Sequence, residues 1–156
     1  MDFFTNLFTD FFRMFGLFKK DAKIIFVGLD DAGKTSLMSV LKYNEIRQFD
    51  PTVHAHSDEI EIGKMKVNSI DLGGHQSVRK VWRDYFPKID AIIYLVDAAN
   101  PQRFSESKVE FEGIINTPDI GDVPVLILGN KIDKVSIDFD LFIGIRVALE
   151  SLHLPV

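Results

Sequence analysis

Apolar residues return every three or four positions through the first eighteen residues. Phe3, Phe4, Leu7, Phe8, Phe11, Phe12, Phe15 and Phe18 form one stripe, and Thr5, Asn6, Thr9, Asp10 and Arg13 fill the opposite face. That spacing predicts a steeply amphipathic helix over 1–18. The pattern then changes. Lys23-Ile-Ile-Phe-Val27 is a β-branched and aromatic run and predicts a strand over 23–28. Leu37, Met38 and Leu41 fall on one face of a helix over 34–42. A loop spans 43–57, and a hairpin over 58–71 turns at Gly63-Lys64. A second loop runs from 72 to 88 with a short helix around 81–85. Strand 91–96, helix 103–116, strand 124–129 and helix 139–150 complete the chain. Strands alternating with helices predict an α/β fold. Its central sheet is mostly parallel with one antiparallel hairpin partner, and helices cover both faces. Sheets of this kind bind ligands beyond the carboxyl ends of their strands.

Length and charge narrow the picture. The 156 residues suit one domain with a real core. A net charge of −5 argues against a broad nucleic-acid surface. There is no cysteine, so no disulfide framework and no thiolate metal site, which fits the cytosol. No apolar run reaches the ~18 residues of a membrane span. Seven of the 14 phenylalanines lie in residues 1–18, without the basic start or small-residue cleavage site of a secretory signal. Two readings of that helix stay open: packing against the chain's own domain, and lying in a membrane interface.

Three motifs carry candidate chemistry. Gly28-Leu-Asp-Asp-Ala-Gly33-Lys34-Thr35 lies between a strand and a helix, the context a phosphate-binding loop requires. Its glycines let backbone N–H groups turn inward on phosphate oxygens, and the helix start adds partial positive charge. Lys34 would reach the β- and γ-phosphates, and the Thr35 hydroxyl would hold Mg²⁺. Asn130-Lys-Ile-Asp133 follows the apolar run Val123-Pro-Val-Leu-Ile-Leu-Gly129, which reads as a buried parallel strand. The Asp133 carboxylate only accepts hydrogen bonds, and guanine offers it two adjacent donors where adenine offers none. Asn130 can tie the loop together, and the Lys131 stem can cover the ring. Asp71-Leu-Gly-Gly-His75 ends a strand beside the phosphate loop. Asp71 is placed for the Mg²⁺ shell, Gly73 and Gly74 for close backbone approach to a γ-phosphate, and His75 for positioning water. Taken singly, each motif also reads as an ordinary turn or a solvated loop residue.

Together, in this order, they resemble the small GTPases. Asp30 within the phosphate loop, the string 71–75 and an N-terminal helix in place of a lipid tail look like the Sar1-type branch of the Arf/Sar family. Those proteins recruit the COPII coat at endoplasmic reticulum exit sites. Gly16-Leu-Phe-Lys-Lys20, Pro51-Thr-Val-His54, Val81-Trp-Arg-Asp-Tyr85, Tyr94-Leu-Val-Asp-Ala98, Glu106-Ser-Lys108 and Leu126-Ile-Leu-Gly-Asn-Lys-Ile-Asp133 agree, covering nearly all of 1–134. Arf relatives begin Met-Gly for myristoylation, whereas this chain begins Met1-Asp2, so that modification is not expected.

The resemblance implies a small-GTPase fold. An N-terminal membrane helix over 1–20 would be stowed with GDP and released with GTP, and the GTPase domain would cover 21–156. Asp30, Asp31, Ala32, Gly33, Lys34, Thr35, Ser36 and Gly74 would hold GTP or GDP phosphates. Asn130, Lys131 and Asp133 would read guanine. Thr35, Thr52 and Asp71 would serve Mg²⁺, and His75 would orient the attacking water. Where the branch has a second threonine after Thr52, this chain has His56. Implied partners are endoplasmic reticulum lipid through 1–18, COPII subunits including an activating protein that supplies an arginine, and a membrane-bound exchange factor. No nucleic acid is expected. The implied location is cytoplasmic and peripheral on endoplasmic reticulum and Golgi membranes. Trp82 is read either as core or as a partner contact, and the cluster from Arg79 to Arg83 as a partner surface. Small GTPases continue past this chain's end with another strand and a final helix. An alternative therefore stays open, a nucleotide-deficient membrane- or coat-binding module, alongside another Arf-like GTPase.

Overall fold

The computed structural model describes residues 2–17, 22–43, 50, 54–62 and 65–134, with side chains at 2–5 and 65 outside that description. The turn expected at Gly63-Lys64, the helix expected over 139–150, Phe18 and Thr52 lie outside the described residues.

Helix α1 (Asp2–Met14) leads into strand β1 (Ala22–Gly28), helix α2 (Lys34–Tyr43), and the hairpin strands β2 (His56–Ile62) and β3 (Met65–Asp71). A single turn, α3 (Gln76–Arg79), runs on as a 3-10 helix over Lys80–Lys88. Strand β4 (Ala91–Asp97), helix α4 (Phe104–Ile115) and strand β5 (Val125–Asn130) follow. The sheet order is β2-β3-β1-β4-β5. β1 runs parallel to β3 and β4, β4 runs parallel to β5, and only the β2–β3 pair is antiparallel. This is the mostly parallel sheet with one antiparallel hairpin partner that the alternation of elements predicts.

Strand side chains alternate between two apolar layers, because successive residues point to opposite faces. Ile24, Phe26, Ile93, Leu95, Leu126 and Leu128 pack with α1 and α2 on one side. Ile25, Val27, Ile92, Tyr94 and Val125 pack with Trp82, Phe86 and Ile114 on the other. Helices thus cover both faces. β1, β4 and β5 read as continuous apolar runs for this reason.

Three boundaries differ from expectation. α1 ends at Met14 instead of running on to 18, and Gly16 follows in a left-handed turn with φ 65°. β2 begins at His56, inside the stretch expected as loop, since pairing with β3 extends to His56 opposite Asp71. The short helix expected at 81–85 is a longer 3-10 segment that contains Pro87 next to its last residue, and proline has no N–H to donate to an α-helical ladder.

Helix α1 lies against the domain. Phe8, Phe11 and Phe12 are buried in the same cluster as Leu41, Ile60, Ile62 and Val67, while Leu7 and Phe15 pack at its margin. The rings also pack on one another, with Phe8–Phe12 stacked at 6.1 Å and Phe11–Phe12 edge-on at 5.6 Å. Asn6, Asp10, Arg13 and Met14 face outward. Among the described residues no helix is long and apolar enough to cross a membrane.

Candidate functional site

The three motifs converge at the carboxyl ends of β1, β3 and β5. β1 has parallel neighbours on both sides, so the loop that follows it opens at the point where the chain's connections diverge. The loop's backbone demands glycine at two places. Gly28 has φ +146°, and a Cβ there would sit 2.2 Å from the Leu95 carbonyl oxygen. Gly33 has φ +91°, and a Cβ there would sit 2.2 Å from Asn130 Nδ2.

The side chains of the loop are held from three directions. Lys34, 5% exposed, donates from Nζ to the carbonyls of Gly28 (2.9 Å) and Leu29 (2.8 Å). Burial brings its ammonium down from the usual 10.5 to about 8, against the attraction of Asp71 and Asp30. Thr35 Oγ1 donates to Asp71 Oδ2. Asp71 arrives there because β3 pairs with β1 in a register that sets it opposite Phe26. From β5, Asn130 Nδ2 donates to the Ala32 carbonyl at 2.9 Å, reaching back 98 residues to the phosphate loop. Ser36 is half-buried at the start of α2.

Lys131 closes the same side. Its Nζ lies 3.0 Å from both Asp31 Oδ2 and Asp97 Oδ2. Burial lowers its pKa, but the bonds to the two carboxylates outweigh that and the net shift is upward. Asp31 (φ 62°) and Lys131 (φ 61°) are the two left-handed non-glycine residues among those described, and they are ion-paired to each other. Such backbone is uncommon for lysine and costs about 1–3 kcal/mol, which the surrounding contacts must offset. Asp133 sits two residues on, in an exposed 3-10 turn.

The 71–75 segment closes the remaining side. Gly74 is buried against the phosphate loop, where a Cβ would lie 2.3 Å from the Asp30 nitrogen and the Leu29 carbonyl carbon. His75 is exposed and caps α3, with Nδ1 2.9 Å from Ser77 Oγ and accepting from the Ser77 N–H at 3.4 Å. An accepting Nδ1 leaves the proton of the neutral ring on Nε2, the edge available to a water molecule.

One expectation needs correction: Arg79 does not belong to a partner surface. Of the two readings of Trp82, the core one holds. Arg79 is 6% exposed and Trp82 2%, and only Lys80, Val81 and Arg83 of that cluster face solvent. Trp82 Nε1 donates to the Gly73 carbonyl at 2.9 Å. The sequence reading also missed Asp97 and the charged group around Asp30. Asp97 carries the same signal as Asp71, an acidic residue ending an apolar strand. The Asp30 group joins Arg79, Arg103, Glu106 and Glu110. Its only local sign was the (i, i+3) spacing of Arg103 and Glu106.

Chemically, the arrangement presents a glycine-bounded loop, one buried ammonium, and a hydroxyl–carboxylate pair. Thr35 and Asp71 meet at the base of that loop and are both hard oxygen donors, the ligand type Mg²⁺ selects. The residues present therefore fit that ion.

The model of the ADP-ribosylation factor family matches residues 8–142. The small COPII coat GTPase SAR1 of Nicotiana tabacum is 50% identical over 101 residues, covering 65% of this chain and 51% of the relative. The Giardia intestinalis protein of the same name is 42% identical over 118 residues, covering 76% and 62%. The chain thus spans between half and two thirds of the length of these curated relatives. The Arl6 BBS3 small GTPase of Trypanosoma brucei, solved with the bound nucleotide analogue GppNp, superposes with a TM-score of 0.66 at 27% identity, covering 74% of this chain and 70% of that one. By the family match, the identities and the shared fold, the chain belongs to the ADP-ribosylation factor family, as a Sar1-type small GTPase.

Proposed function

We propose that the chain is a guanine-nucleotide switch. It binds GDP and GTP with Mg²⁺ and hydrolyses GTP to GDP and phosphate. In its GTP form it lays residues 1–18 on the endoplasmic reticulum membrane and recruits COPII coat for traffic toward the Golgi. The observation that carries this reading is the convergence on one phosphate loop of Asp71 from β3 and of Asn130 and Lys131 from β5.

In this reading Lys34 exchanges its two carbonyl partners for phosphate oxygens, and the backbone N–H groups of 30–36 surround the β-phosphate. Thr35 and Asp71 hold Mg²⁺, with Thr52 joining from the first loop; the bound ion supplies charge neutralisation across the phosphates. Asp133 accepts the two guanine donors, Lys131 covers the ring, and Asn130 fixes the loop to Ala32. Gly74 gives the second loop its close approach to the γ-phosphate, and His75 orients the attacking water.

Hydrolysis by the chain alone is slow in this reading. Among the described residues, the two arginines that reach Asp30 of the phosphate loop, Arg79 and Arg103, are committed to carboxylates. An arginine supplied by an activating coat subunit then accounts for rapid turnover, an effect of ~10³–10⁵-fold. The membrane helix over 1–20 and the GTPase domain over 21–156 exchange contacts rather than act apart. Phe8, Phe11 and Phe12 serve the core while stowed and lipid when released.

The test is direct. Chain purified with Mg²⁺ is assayed for bound guanine nucleotide, for Mg²⁺-dependent GTP turnover, and for vesicle binding in each nucleotide state. GTP binding with weak competition by ATP is expected. Competition in which ATP wins, or no nucleotide uptake at all, would leave only the membrane- or coat-binding module. Equal vesicle binding by both nucleotide forms would remove the switching role.

A further inference from the structure

Of the two arginines bound to Asp30, Arg79 is by far the more buried. Its side chain is 5% exposed, yet all three guanidinium nitrogens are bonded. Nε donates to the Gly74 carbonyl at 2.6 Å. One terminal nitrogen donates to Glu110 Oε1 at 3.0 Å; the other donates to Glu106 Oε1 at 2.7 Å and lies 3.4 Å from Asp30 Oδ1. Arg103 binds the same Asp30 carboxylate at 2.9 Å and shares Glu106. One buried side chain therefore ties together the phosphate loop, the 71–75 turn and α4.

The bond to Gly74 matters most. In a trans peptide the carbonyl of one residue and the N–H of the next point in opposite directions across one rigid plane. Fixing the Gly74 carbonyl therefore fixes the His75 N–H and the start of its side chain. Trp82 does the same one peptide earlier, holding the Gly73 carbonyl and so aiming the Gly74 N–H. Both planes are flanked by glycine, whose backbone dihedrals are the least restricted of any residue. Glu106 and Glu110 anchor the guanidinium from α4, and both are partly exposed at its surface.

We propose that Arg79 is a positioning residue for hydrolysis. It clamps the peptide between Gly74 and His75 against the phosphate loop, with Glu106 and Glu110 as the anchor on α4. This rests on the reading of the chain as a GTPase. Loss of the clamp lets the His75 turn drift and slows turnover, while the contacts that hold GDP (Lys34, Thr35, Asn130 and Lys131) stay in place. A lysine cannot replace it, because a single ammonium cannot span one carbonyl and two carboxylates as a planar fork does.

The experiment compares the full chain with Arg79→Ala, Arg79→Lys, Glu110→Gln and the control Glu112→Gln. GDP affinity, single-turnover GTP hydrolysis with Mg²⁺, and Trp82 emission before nucleotide is added are measured for each. Arg79→Ala should slow hydrolysis about tenfold or more, the scale expected when a reacting group is misplaced. Its GDP affinity should stay within about threefold of wild type, since its losses fall on the reacting geometry and not on binding. Its Trp82 emission should shift to the red. Arg79→Lys should recover little. Glu110→Gln leaves the buried arginine in place and should slow hydrolysis measurably. Glu112→Gln, in an exposed pair with Lys108, should change nothing. Wild-type turnover in Arg79→Lys, or no effect of Glu110→Gln on either turnover or emission, overturns the proposal. So does a GDP affinity that falls in step with turnover. Failure of the wild-type chain to bind GDP removes the nucleotide reading itself, and the positioning role with it.

Discussion

Shortening the seat beneath α1 should release the helix without touching it. Ile62, on β2, is 2% exposed and shares one buried cluster with Phe8, Phe11 and Phe12. Ile62→Ala removes three carbons from that cluster, and core changes of this kind cost about 2–5 kcal/mol. Part of the cost falls on the whole domain and part on the seated helix alone. If ~1.4 kcal/mol falls on the seat, the released fraction rises about tenfold, because that energy is a factor of ten in an equilibrium. The apolar stripe of α1 is unchanged, so under the proposed reading the released helix keeps its affinity for lipid. The assay is flotation of GDP-loaded protein with small, strongly curved vesicles, beside a thermal melt. GDP-loaded Ile62→Ala should float about tenfold more than wild type by the same arithmetic, and its GTP form should be little altered. Met14→Ala, at a position 60% exposed, serves as the control. A lowered melting temperature with unchanged flotation would refute the reasoning. The seat would then have weakened without freeing the helix.

Other expectations concern the nucleotide pocket. Asp133→Asn replaces one acceptor edge with a donor, so GTP affinity should fall and affinity for xanthosine triphosphate, whose 2-oxo group accepts, should rise; competition binding reads both. Gly74→Ala places a Cβ 2.3 Å from backbone atoms of Leu29 and Asp30, which cannot give way, so the turn must move and GTP turnover should be lost while the protein still folds and retains GDP. Lys34 titrates near 8 instead of 10.5 because its ammonium is buried. Between those values the unfolded chain binds more protons than the nucleotide-free folded one, so stability should rise with pH across that window. Phosphate restores the charge, so GDP affinity should fall by up to about tenfold per pH unit above pH 8 and be flat in Lys34→Ala.

Much of the pocket can be read in the chain because its parts are local. A glycine that must adopt φ +91° at position 33, a lysine next to it and a hydroxyl one residue later form a loop whose shape follows from neighbouring residues. Alternation of apolar side chains does the same for the strands, and parallel pairing then brings the ends carrying Asp71 and Asn130 to one edge. The helical stripe of α1 was equally plain, but its spacing is compatible with lipid and with protein alike. Only packing against β2 shows where Phe8, Phe11 and Phe12 are stowed. Arg79 and Trp82 follow the same logic from the other side. In a run with Lys80 and Arg83, Arg79 reads as surface and Trp82 as either core or partner contact, since a short window carries no record of burial. Tertiary contact decided otherwise, because Glu106, Glu110 and Asp30 approach from 27, 31 and 49 residues away and together offset the desolvation of one guanidinium. Backbone geometry and periodicity are properties of a few adjacent residues. Which charges meet inside the fold depends on how distant segments cross.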